Sequence, residues 1–218
     1  MKQKAPLSKF AYEALMQRIA DGKFRTGQTF TEEFLKKELK ISRTPIREAL
    51  GSMQSEGIVS KNGRSYSVIY LNENEINEIY EVRRELESLA AYLSAIRMST
   101  NERKELKRIL KLIVKASSGD SDPVAFTNLS GKLHSLISKG SKNSLILKEL
   151  GILRLRLRIV RVTILSTIER RDKEVKEHSA IINAILNRDP EGARMAMYEH
   201  QTNVWEYVKN TVIPKLYY

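Results

Sequence analysis

Ser42-Arg43-Thr44-Pro45-Ile46-Arg47-Glu48-Ala49-Leu50 is the stretch whose reading decides the fold. Serine is a favoured helix N-cap, and proline is tolerated in a first turn, where its missing N–H has no helical partner to lose. The spacing predicts a helix from Ser42 to about Glu56, ended by Gly57. Ile46, Ala49, Leu50 and Met53 recur three or four apart and form its inner face. Arg43, Thr44 and Arg47 fall on the other side. An arginine fork matches O6 and N7 of guanine in the major groove. Thr44, Ser42 and the first-turn N–H groups suit a phosphate. The stretch reads as a helix whose amino end is aimed at DNA.

The flanks complete a reader. Residues 8–21 carry Phe10, Ala11, Ala14, Leu15 and Ile19 at helical spacing, with Ser8 as cap and Gly22 as stop. Gly27 marks a turn. Thr31 caps a second helix through Leu39, with Phe34, Leu35 and Leu39 expected inward. Only a few residues join it to the third helix, as a helix-turn-helix requires. Residues 58–69 read as two short strands around Asn62-Gly63, a strong hairpin signal. Three helices and a hairpin predict a winged helix-turn-helix over residues 1–70. Gly63 would let the wing tip approach a minor groove, with Lys61 and Arg64 beside the phosphates.

Ser42 to Leu50, the Phe34-Leu35…Leu39 helix before it, Ile41 and the Gly57-Ile58-Val59 exit together resemble the GntR family of bacterial transcription regulators. The match is long and ungapped. The resemblance implies that Arg43, Thr44 and Arg47 contact DNA and that the wing around Gly63 touches the minor groove. One residue departs from it. Glu33 stands where some members carry a basic DNA-contacting side chain.

Composition agrees. The 218 residues carry a formal net charge of +12, a surplus that suggests a polyanionic partner, and half of it lies in the first 70 residues. Cysteine is absent, which excludes disulfides and thiolate metal sites. No apolar run approaches the roughly 20 residues that span a bilayer. Met1 to Pro6 has no apolar signal core behind it. The expectation is a cytoplasmic protein without a membrane partner.

Beyond the Leu71-Asn72 link, residues 71–218 read as an all-α antiparallel bundle of six helices. Asn72 caps a helix to about Met98, with Ile76, Ile79, Leu86, Leu89, Leu93 and Ile96 expected inward. Ser99 and Glu102 form a capping box for a helix to Ser118, with a break at Gly119. Asp122-Pro123 opens a helix to Lys139, and Gly140 to Asn143 is a turn. Ser144 begins a helix to about Thr167. Asp172 to Asn187 follows, and Asp189-Pro190 opens the last helix, which ends near Val212. Residues 152–162 alternate apolar residues with Arg154, Arg156, Arg158 and Arg161. They are assigned to helix, because a lone strand would have no partner and Arg154, Arg158 and Arg161 also share one helical face.

His134, His178 and His200, the chain's only histidines, fall on three different helices. Three imidazoles could converge on one transition metal and leave a position open. Singly, a helical histidine is more often a packed or surface residue than a ligand. The order Arg83-x-x-Leu86-Glu87, Leu133-His134, Asn143, Glu177-His178, Asn187-Arg188-Asp189 and His200 resembles the ligand-binding (FCD) domain of the FadR subfamily. Six helices match its shorter, VanR-like group. The resemblance implies a divalent ion, Zn or Ni, held by His134, His178 and His200 with an aspartate one turn before the first. Ser130 occupies that position. Three outcomes stay open: a weaker site, one completed by water or an effector oxygen, or none. The resemblance also implies a small organic acid as effector. The planar forks of Arg83, Arg154 and Arg158 make them candidates for its carboxylate, and surface charge or ion pairing within the bundle explains them equally well.

The expected function is a homodimeric, effector-controlled regulator that represses or activates by binding a palindromic operator, with half-sites roughly 34 Å apart. One rival is a metal-dependent hydrolase or lyase on the three histidines, with Glu177 and Glu199 beside two of them. Adjacent helical residues point about 100° apart, so those glutamates are expected to face away. A second rival keeps the bundle as a dimerisation module with structural histidines.

Overall fold

The computed structural model describes residues 7–20, 23–25, 27–69, 71–117, 123–157, 160 and 168–214. The stops at Gly22 and Gly119, the cap at Asp122, Arg158, Arg161 and the helix end near Thr167 lie outside the described residues. The chain begins with α1 (Leu7–Ala20), β1 (Thr29–Thr31), α2 (Glu32–Leu39), α3 (Arg43–Ser55), β2 (Val59–Asn62) and β3 (Ser65–Val68). It continues as α4 (Glu73–Arg97), α5 (Thr100–Ser117), α6 (Pro123–Gly140), α7 (Ser144–Arg156), α8 (Ile168–Leu186) and α9 (Pro190–Tyr207), which ends in a π-helical turn over Val208–Val212.

The first part is the winged helix-turn-helix. Thr31 caps α2 through its hydroxyl, which accepts from the Phe34 N–H. Lys40 then turns the chain in the left-handed region at φ 53°. This one-residue reversal keeps the α2–α3 connection short. Ile46, Ala49, Leu50 and Met53 are buried, as their spacing predicts. Phe10 and Phe34 are not: they are 47% and 43% exposed. Ala11, Leu15 and Ile19 supply the buried face of α1. Phe24 takes the place expected of Phe34, stacking on Phe30 at 5.1 Å between ring centroids.

The wing is a three-stranded sheet in the order β1-β3-β2, all pairs antiparallel. The turn sits one residue later than expected. Asn62 still pairs with Ser65, so Gly63 and Arg64 form the two-residue loop. β1 was not foreseen. Its pairing of Phe30 with Tyr66 joins residues far apart in sequence, and three residues offer too short a period to read.

Six helices follow among the described residues. Asn72 and Glu75 form a capping box at α4, and Ser99 and Glu102 form one at α5. The Asp189 carboxylate accepts from the Gly192 N–H, with Pro190 at the first helical position. α9 lies along α4, and Tyr80 stacks on Trp205 at 5.3 Å. The inner face of α4 is only partly the expected one: Ile76 and Ile79 are buried and Leu86 and Leu93 pack against the core, but the face also carries Tyr80, Arg83, Glu87, Ser88, Ala90, Ala91, Ser94 and Ala95. Leu89 is 40% exposed and Ile96 56%. Small residues let neighbouring backbones close on α4: the Ser94 hydroxyl donates to the Ile137 carbonyl of α6 at 2.6 Å. Arg103 of α5 ties two helix ends together, donating to the carbonyls of Ala95, Met98 and Ile185. Cations suit such carbonyl-rich ends.

Candidate functional site

Two places concentrate chemistry. The first is the outer face of α3. Ser42 precedes it in extended conformation, and its side chain makes no capping bond. Arg43, Thr44 and Arg47 are exposed. Both arginines already hold carboxylates from α2. Arg47 makes a fork to Glu32, with Nε to Oε1 at 3.1 Å and Nη2 to Oε2 at 2.8 Å. Arg43 donates Nη2 and Nε to one oxygen of Glu33 at 2.5 and 3.2 Å. The Tyr66 hydroxyl joins Glu32 at 3.3 Å. The Arg47 bond holds Glu32 below the usual carboxylate range, and the Arg43 bond does the same for Glu33. Glu33, the departure noted in the sequence, therefore stands as an acceptor for Arg43.

At the wing, Gly63 has φ +60° with open space where a Cβ would project. The conformation, not crowding, calls for glycine there. Arg64 is exposed beside it. Lys61 sets its ammonium 5.4 Å from the centroid of the Tyr66 ring.

The second place is inside the bundle. α6, α8 and α9 bring His134, His178 and His200 together, all buried. Their ring centroids are 4.8–5.3 Å apart. One ligand nitrogen from each lies within 4.8 Å of the others. Carboxylates back two of the rings. Glu87 Oε2 lies 2.8 Å from His134 Nδ1, and Glu177 Oε2 lies 2.7 Å from His200 Nδ1.

Arginines fix the charge of both carboxylates. Burial alone would push Glu87 up, but Arg154, His134 and Arg83 outweigh it and hold the group well below the carboxylate range. Burial likewise opposes ionisation of Glu177, yet its bonds with His200 and Arg170 bring it down to about 2. An ionised carboxylate only accepts, so each ring donates its Nδ1–H and leaves Nε2 for another partner. Burial lowers His134 to about 4, although Glu87 pulls the other way. Burial, His200 and His134 hold His178 well below its ordinary value.

Neither ring nitrogen of His178 has a hydrogen-bond partner among the described residues. A buried imidazole with both nitrogens unsatisfied carries a large desolvation cost. A cation among the three rings would remove it. The donor set, three ring nitrogens with outer carboxylates on the Nδ1 side of two of them, could hold a cation. Ser130 lies one turn before His134, buried, and donates to Glu174 Oε1 at 2.7 Å.

The three effector candidates divide. Arg83 and Arg154 both reach Glu87 Oε1, at 3.1 and 3.4 Å. Arg154 also donates to the His134 carbonyl and the Ser138 hydroxyl. Arg158 lies outside the described residues. Glu177 does not face away from the cluster as expected; it turns from His178 but backs His200 across the helix interface. Glu87 appeared in the sequence only as part of a resemblance. Glu174 went unread, though its place four residues before His178 could have drawn attention.

A family model described as bacterial regulatory proteins, gntR family, matches residues 7–68, and one described as FCD domain matches residues 78–203. The chain belongs to the GntR family. This GntR member is a DNA-binding transcription regulator with an FCD effector-binding domain, and not an enzyme. It is 25% identical over 202 residues to the HTH-type transcriptional regulator YdhC of Bacillus subtilis, covering 92% of this chain and 90% of YdhC. It is 33% identical over 135 residues to the gluconate operon transcriptional repressor of Bacillus licheniformis, which is 61% of this chain and 54% of that one. McbR of Escherichia coli shares its fold at a TM-score of 0.68 and 19% identity, over 96% of this chain and all of McbR. No described helix of this GntR regulator is long and apolar enough to cross a membrane.

Proposed function

We propose that this GntR regulator is a cytoplasmic, homodimeric repressor of the FadR subfamily, VanR-like group, that reads a palindromic operator and answers to a small organic acid. Residues 1–70 form the reader and residues 71–218 the effector-binding and dimerising part. The single observation that carries the reading is α3: one face is wholly buried, and the other presents Arg43 and Arg47 as two exposed forks. Arg43 and Arg47 read base edges, while Ser42, Thr44, Lys61 and Arg64 take phosphates and Gly63 brings the wing tip to the minor groove.

In the bundle, His134, His178 and His200 would hold a divalent ion, Zn or Ni. The unsatisfied nitrogens of His178 and the carboxylate-backed rings of its neighbours support this. When bound, the ion supplies a Lewis-acid point for an effector oxygen. Arg83 supports a carboxylate partner, because its buried Nε has no hydrogen-bond acceptor among the described residues. Arg154, half-buried beside it, is the second candidate, and Arg158 the third. Relatives named as gluconate operon repressors support both the sign of regulation and an organic acid as the signal class.

The homodimer rests on α4. Val82, Leu89 and Ile96 stand seven residues apart and are 50%, 40% and 56% exposed. An apolar seam at heptad spacing suits the same seam on a second copy.

Selection from a randomised duplex pool tests the reading. A palindromic sequence should be enriched, and its affinity should change when small carboxylic acids are added to metal-loaded protein. Recovery of no enriched sequence would contradict the proposal.

A further inference from the structure

We infer that Glu174, not residue 130, supplies the carboxylate ligand of the histidine centre, and that Ser130 is the residue that orients it. The inference rests on the metal reading above and concerns which side chain completes the site.

Glu174 and His178 are four apart on α8, so both side chains lie on one helical face. Glu174 is buried, and its Oε1 lies 3.6 Å from His178 Nε2. That is beyond a hydrogen bond, and none forms, since His178 Nε2 has no hydrogen-bond partner among the described residues. A carboxylate oxygen and an imidazole nitrogen then face each other in the buried interior.

A cation placed among the three rings would also bridge these two groups. The Nδ1 edges of His134 and His200 are occupied by Glu87 and Glu177, so these rings are already turned as ligands.

The other carboxylates are committed. Glu87 is held by Arg83, Arg154 and His134, and Glu177 by Arg170, Asn203 and His200. Among the described residues, Glu174 has one hydrogen-bond partner, the uncharged Ser130 hydroxyl at 2.7 Å. That bond occupies only part of a group with about four acceptor sites. Ser130 therefore does for Glu174 what Glu87 does for His134: it fixes an orientation from outside. The site is three imidazole nitrogens and one carboxylate, with the oxygen contributed by α8 and not α6.

The test uses full-length protein stripped with a chelator, titrated with Zn²⁺ against a competing chromophoric chelator and, separately, loaded with Co²⁺ for its visible spectrum. Wild type should take one ion per chain. Glu174→Gln should weaken Zn²⁺ binding by about 100-fold or more and change the Co²⁺ spectrum. Ser130→Ala should weaken it by about 10-fold, in the range of lost orienting contacts. The double variant Ser130→Asp/Glu174→Gln moves the carboxylate to α6 and should recover most of the loss, which also shows that the Glu174→Gln defect is not misfolding. Wild-type affinity and an unchanged Co²⁺ spectrum in Glu174→Gln would overturn the inference while leaving a three-histidine site standing. No ion bound to wild type would overturn the metal reading itself, and this inference with it.

Discussion

The reader and the bundle both pair arginine with glutamate, but in opposite surroundings. Arg43 and Arg47 meet Glu33 and Glu32 in water, with the arginine side chains 58% and 66% exposed. Arg83 and Arg154 meet Glu87 where the carboxylate is fully buried. Exposed pairs contribute little to stability, because water and salt screen both partners before and after they separate. Such arginines can exchange a carboxylate for a guanine edge or a phosphate. A buried carboxylate cannot lose its partners so freely, since the charge left behind has no water to take it. The reader is built to change partners. The bundle is built to keep its own, and so to hold three imidazoles in one arrangement.

The largest effect should follow from breaking the buried side of that contrast. Glu87→Ala strips Arg83, Arg154 and His134 of their shared carboxylate and should cost about 3–5 kcal/mol in a denaturant titration. A loss below about 1 kcal/mol would mean that water reaches Glu87 after all. Metal removal comes next. A stripped sample should melt lower than one with Zn²⁺ at about 100 times its Kd, the difference corresponding to about 2.7 kcal/mol. Identical melts would leave the three histidines structural. Leu89→Glu and Ile96→Glu, on the exposed seam of α4, should convert dimer to monomer in sedimentation at micromolar concentration without loss of helicity.

The smallest effect should come from the exposed side. Glu33→Gln frees Arg43 from its competitor and should tighten DNA binding by less than about tenfold, most visibly at low salt. Weaker binding would mean that Glu33 holds Arg43 in its reading pose and does not compete for it.

The same contrast explains what was legible in the sequence. The reader is local: Ser42, Pro45 and the Ile46 to Met53 face lie within about three turns, and Gly63 marks its own turn. Cap residues placed the helix starts at Asn72, Ser99 and Asp189, and periodicity placed many of the inner faces. It failed where an apolar face has no internal partner. Leu89 and Ile96 on α4 look like core and are exposed, while Glu87 and Ser94 look like surface and are buried. The bundle centre depends on contacts between helices. Glu87 meets His134 across 47 residues, and Glu177 meets His200 across 23. Three histidines on three helices could be read as converging, but no spacing announces which carboxylate backs which ring. Glu177 shows the limit: the 100° rule correctly turned it from His178 and said nothing of His200.

The most direct measurement is a pair of binding titrations on Arg43→Ala/Arg47→Ala, one with the selected operator and one with a scrambled duplex, beside a thermal melt of the same sample. Each good bidentate contact supplies about 1–3 kcal/mol of base discrimination. The account predicts that operator and scrambled duplex become nearly equal in affinity while the melt matches wild type. Retained preference for the operator in a folded double variant would contradict it.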